Sequence, residues 1–177
     1  MKARAGSETG LTLIETVMAV SLLLVAMMGL LSMAGLATAY TENHGHLEAR
    51  TTEYAQDKME QLLALVYPDT VSDTVVFPAS TSGGTGLTVG GSINPDTPVD
   101  GYVDWLTYDG SLLGGGATPP TSWYYERVWR VECVVATCTS TPAVGLKRIT
   151  VLTRVRTSVG KKIIPTSTVV ALKAAQF

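Results

Sequence analysis

From Thr16 to Thr41 the chain carries no Asp, Glu, Lys or Arg, and from Leu11 to Tyr67 it carries no proline. A helix rises about 1.5 Å per residue, so the uncharged run alone spans about 39 Å, enough to cross a hydrocarbon core of about 30 Å. A single acid, Glu15, stands at the mouth of this run, five residues past Gly10. A charge near the middle of a membrane helix costs about 2.5–3.5 kcal/mol on insertion scales, so Glu15 needs a partner.

The 177 residues allow one ordinary domain plus an appendage. With 46% hydrophobic residues, 16% charged residues and a formal net charge of -2, bulk charge offers no basic surface for nucleic acid. Gly and Pro concentrate between Pro78 and Pro120, and the two cysteines, Cys133 and Cys138, lie far from the apolar run.

Three readings fit the first 40 residues. A secretory signal would use Ala37-Thr38-Ala39 as its cleavage site, but the apolar stretch is too long for such a signal and Glu15 interrupts it. A plain membrane anchor, with Lys2 and Arg4 as its cytoplasmic flank, leaves Glu15 unexplained. In the third, Gly10-Leu11-Thr12-Leu13-Ile14-Glu15 followed by the uncharged run resembles the start of a type IV prepilin or pseudopilin. In that family a membrane peptidase cuts after the glycine and the new terminal amine is methylated. The resemblance therefore implies cleavage between Gly10 and Leu11, methylation of Leu11, and a docking role for Glu15. Leu11 departs from the phenylalanine most usual there, a change the family tolerates.

The physics of such a cut is coherent. A freed amine at Leu11 has a reference pKa of about 7.7–8.0 and is cationic at neutral pH. Glu15 is an anion in the same layer, and pairing the two offsets the desolvation each would suffer alone. A snorkelling acid at the membrane edge is the plainer account of Glu15. Losing Lys2, Arg4 and Glu8 would leave 13 − 2 = 11 basic and 15 − 1 = 14 acidic residues, a formal charge of -3.

The helix is expected to continue past the apolar run. Leu47, Tyr54, Met59, Leu62, Leu63 and Val66 recur at helical steps, with Glu48, Arg50, Glu53, Asp57 and Lys58 between them as the solvent face. Pro68 is expected to end the run. Leu11 to Val66 would form one helix of about 84 Å. Ala55-Gln56-Asp57-Lys58-Met59-Glu60-Gln61-Leu62 resembles the same stretch of V-type minor pilins and I-type pseudopilins, and the missing proline leans away from a major pilin.

The rest of the chain reads as β-rich. Val71 to Phe77 and Val99 to Tyr108 are strand candidates, the latter inside a long Gly/Ser/Thr/Pro loop over 78–121. Tyr125 to Val135 alternates as a strand with one buried face, Leu146 to Thr157 as its neighbour. Ser158-Val159-Gly160-Lys161 makes a turn and Ile163 to Leu172 a returning strand. The expected fold is α+β: a long N-terminal helix, transmembrane in its first half, with an antiparallel sheet packed on its second half, the pilin fold. The expected divisions are 1–10 leader, 11–40 membrane half, 41–67 amphipathic half and 68–177 head, the head comprising the 78–121 loop and a 122–177 meander. The pairing of Arg127–Val131 with Lys147–Val151 also resembles the sheet of V-type minor pilins.

Cys133 and Cys138 are close enough for a disulfide in an oxidising compartment, or remain two thiols with one on a buried strand face. Two cysteines without a nearby histidine cannot fill a zinc site. Asp96, Asp100 and Asp104 could offer oxygens to calcium, but their spacing matches no EF-hand loop, and ordinary turn chemistry explains Asn94-Pro95-Asp96. His44 and His46 point to different sides of a helix, and no serine has a plausible His/Asp set. No catalysis and no cofactor are expected. The resemblance implies a minor type IV pilin, processed by prepilin peptidase and assembled with other pilins by an inner-membrane platform. The alternatives are a type II secretion pseudopilin and a membrane-anchored binding module that never polymerises.

Overall fold

The computed structural model describes residues 12–134, 138, 145–156 and 164–175. The chain divides into two compact units, 1–43 and 44–177. One helix, α1 (Leu13–Ala64), contributes to both.

In the first unit every described residue from Thr12 to Glu42 is exposed. The hydroxyls of Thr16, Ser21, Ser32, Thr38 and Thr41 each donate to a backbone carbonyl three or four residues back. These side chains are thus satisfied within the helix itself, which a hydrocarbon environment demands.

In the second unit α1 buries Thr51, Tyr54, Ala55, Lys58, Met59 and Leu62. These positions recur at three- and four-residue steps and form one stripe. Two expectations fail here. Lys58, placed among the solvent-facing charges, is fully buried, whereas Leu63 and Val66, placed on the buried stripe, are exposed. Position 58 follows Tyr54 by four residues and Ala55 by three, so helical geometry puts it on the stripe whatever its side chain. The helix also stops at Ala64, short of Pro68. Its last turn carries no basic residue of its own. Lys173 supplies one, its Nζ donating to the Leu63 carbonyl.

Among the described residues six antiparallel strands form one sheet: β1 (Gly90–Gly91), β2 (Val103–Leu106), β3 (Leu112–Gly115), β4 (Tyr125–Cys133), β5 (Leu146–Val155) and β6 (Thr166–Ala174). The order is β3-β2-β4-β5-β6, and β1 pairs with β4 beyond the end of β2, at Arg130 and Val131. The layout is α+β, with the sheet packed on α1. Ala55, Met59 and Leu62 of the helix meet Trp129, Val131, Ile149 and Val151 of the sheet.

The candidate strand Val71–Phe77 does not form; a single bridge, Asp73 to Ser80, takes its place. Asp69 and Asp73 accept bonds from backbone N–H groups two and three residues on, which turns the chain. The second strand candidate narrows to β2, and β1 and β3 arise inside the stretch read as loop. Nor does β4 have one buried face. Tyr125, Arg127, Trp129 and Val131 are buried on the helix side, and so are Glu126 and Val128 on the other. Val128 packs there with Val103 and Trp105 of β2 and with Trp123, just ahead of β4. Arg154 ties that region down, donating to Asp96 at 2.7 Å and to the Pro95 carbonyl at 2.9 Å. Gly91, at φ 82°, lies where a Cβ would strike the Trp129 carbonyl and the Tyr102 ring, so only glycine lets β1 approach β4. The Ser158–Lys161 turn lies outside the described residues.

Candidate functional sites

The first site belongs to the opening of α1. Glu15 sits in its first turn, where the amides of Glu15 and Thr16 both donate to the Thr12 carbonyl. An acid there interacts favourably with the positive end of the helix dipole. The Glu15 carboxylate has no hydrogen-bond or ion-pair partner among the described residues. Gly10 and Leu11, the expected cleavage and methylation positions, lie outside the described residues. By length and composition α1 can cross a membrane, and none of its apolar window is buried. A signal sequence would meet the same length and composition test.

The second site is a set of four charges that joins helix to sheet. Lys58 of α1 donates to Asp104 Oδ2 of β2 at 2.7 Å and to the Thr74 carbonyl, and its ammonium lies 4.2 Å from the centre of the Trp129 ring. Arg127 of β4 grips the same carboxylate from the other side, Nε to Oδ1 at 2.7 Å and Nη2 to Oδ2 at 2.9 Å. Its Nη1 reaches Asp57 of α1 at 2.9 Å and the Tyr54 carbonyl at 3.4 Å. Two cations and two anions thus balance, and all but Asp57 are buried. Burial alone would raise the Asp104 pKa. Lys58 and Arg127 more than offset it and hold the carboxyl below its ordinary value. Burial also pulls Lys58 down, with Asp104 resisting. The arrangement positions and fastens. Its central pair, Lys58 and Asp104, is fully buried and closed to solvent.

Two further buried charges went unread in the sequence. Lys147 donates to the carbonyls of Tyr67 and Leu87, both at 2.9 Å, and stands 4.7 Å from the centre of the Tyr67 ring. Burial lowers its pKa, against the attraction of Asp69. Glu126 is fully buried, accepts from Arg154 at 2.6 Å through Oε2, and its Oε1 meets no donor among the described residues. Burial pushes its pKa up despite that arginine. The one signal in the sequence for Lys58 was its place on the helical stripe. Nothing in strand alternation marked Glu126.

The three acids weighed for calcium are not brought together. Asp96 pairs with Arg154, Asp100 accepts from the Ala117 amide, and Asp104 belongs to the charge cluster. Among the described residues no group of three potential metal ligands forms. Cys133 and Cys138 are joined in a disulfide, with Cα atoms 5.6 Å apart, and Cys138 packs with Tyr67 and Ala175. His44 stands 3.9 Å from Glu48, and His46 is exposed. No family model, curated protein or solved structure matches this chain.

Proposed function

We propose that this chain is a minor type IV pilin, a structural subunit and not an enzyme. Prepilin peptidase would cut after Gly10, Leu11 would be methylated, and an inner-membrane platform would assemble the product with other pilins into a pilus. Before assembly the first part of α1 would rest in membrane lipid as a single span, with residues 68–177 in the periplasm. One observation carries the reading. A continuous helix leaves its first 30 or so residues wholly exposed, satisfies the hydroxyls there internally, and holds in its first turn one acid with no partner among the described residues. Such a surface needs lipid or the helices of other subunits to cover it. The disulfide supports an oxidising compartment for the second unit.

The stretch Ala55–Leu62 resembles I-type pseudopilins as well, which makes a type II secretion pseudopilin the second reading. A neighbouring gene for a retraction ATPase favours the pilus, a secretin-linked operon the secretion system. Glu15→Ala tests assembly: a filament subunit fails to incorporate, whereas a membrane-anchored binding module keeps working.

A further inference from the structure

The two edges of the sheet differ. At one, β3 has four residues and its register with β2 shifts between Trp105 and Leu106. Short strands and bulges are how proteins protect an edge from pairing. At the other, β6 has nine residues and pairs with β5 in unbroken register from Arg154–Thr166 to Leu146–Ala174. No strand lies on its far side among the described residues. Within β6 there is no proline, and its outer face exposes Val170 by 56% and Leu172 by 59%. Its one charged residue is Lys173.

At the C-terminal end of β6 a cleft of about 480 Å³ opens between the strand and the end of α1. Leu63, Val66, Tyr67 and Leu172 line it, and among the described residues Lys173 is the only charged one in its walls. The Lys173 ammonium donates to the Leu63 carbonyl, and no carboxylate pairs with it among the described residues. A cation on an apolar wall at the end of an open strand complements an anion carried by an incoming strand.

We propose that the free edge of β6 and this cleft accept an extended segment of a partner protein, which pairs with β6 and brings a carboxylate to Lys173. The backbone of the segment would fill the open hydrogen bonds of β6, and its apolar side chains would cover Val170 and Leu172. A second copy pairing through its own edge strand does not meet this demand. Neither β6 nor β3 contains an acid. Lys173 thus serves twice, as the cap of α1 and as the charge that selects the partner.

The test uses the full chain in detergent micelles and two synthetic peptides. Both alternate valine and threonine; one ends in a pair of glutamates, its twin in a pair of lysines. Hydrogen exchange at the β6 amides is the readout. The acidic peptide should slow that exchange and bind at least about tenfold more tightly than its twin, the factor a single favourable charge contact can supply. Lys173→Gln should level the two peptides. Val170→Asp and, separately, Thr168→Asp should abolish binding of the acidic peptide while leaving thermal unfolding unchanged. Equal binding of the twins, or no binding by either, overturns the proposal. So does β6 protection that rises with protein concentration alone, since a second copy then covers the edge.

Discussion

Lys58 of α1 and Asp104 of β2 meet at 2.7 Å with neither side chain exposed, and Arg127 and Asp57 close the charge balance around them. This contact fastens the second part of α1 to the sheet. Removing one member strands a buried charge, so Lys58→Met alone should cost about 3–5 kcal/mol. Replacing Lys58, Asp104 and Arg127 together with Met, Leu and Met should cost far less, because no member of the cluster is then left charged and buried. Denaturant unfolding of the full chain in detergent, run on both variants, checks the contrast. Equal losses would mean that the cluster contributes by packing and not by charge.

The pH dependence follows from the same carboxylate. The Asp104 pKa in the folded chain lies below its ordinary value of 3.8, because Lys58 and Arg127 outweigh burial. The stability it contributes is therefore full above that value and drains away as pH falls through the folded-state pKa. Glu126 runs the other way, its folded pKa lying above the ordinary 4.5, so acid relieves its burial. Unfolding followed from neutral pH to below about pH 4 should show a loss of stability at the acid end. The apolar triple replacement should flatten that loss.

Strand alternation, helical spacing and turn chemistry made the large elements legible. The long helix, β4 and β5 follow from periodicity, β6 from its place as the strand returning after a turn, and the α+β layout from the order of the elements. What spacing could not show was which polar residues the core would accept. Lys58 and Glu126 read as surface residues because burial of a charge depends on partners distant in sequence: Asp104 lies 46 residues from Lys58, and Arg154 lies 28 from Glu126. The two-residue β1 escaped notice because it rests on Gly91, a residue that ordinarily argues against a strand. Leu63 and Val66 misled in the opposite sense, since an apolar residue at the end of a helix can remain exposed where no strand covers it.

The disulfide closes a short ring, five residues apart in sequence. The chain-entropy argument gives about 2 kcal/mol for a ring of that size. Cys133→Ala with Cys138→Ala should cost about that much, measured by thermal unfolding against the oxidised parent. Because Cys138 packs on Tyr67 and Ala175, exchange protection should drop near the end of α1 as well.

Gly91→Ala should destabilise by more than about 1 kcal/mol. It combines a left-handed backbone with a collision between Cβ and the Trp129 carbonyl. Gly83→Ala is the control: it shares the positive φ and meets no atom within 4 Å, so its cost should be smaller. Denaturant midpoints of the two variants decide the matter.

The filament-subunit account rests on Glu15 meeting a terminal amine made by a cut after Gly10. The most direct measurement is the intact mass of the chain purified from membranes. The account predicts the mass of residues 11–177 plus one methyl group on the Leu11 amine. A chain that retains residues 1–10, or one cut after Ala39, would contradict it.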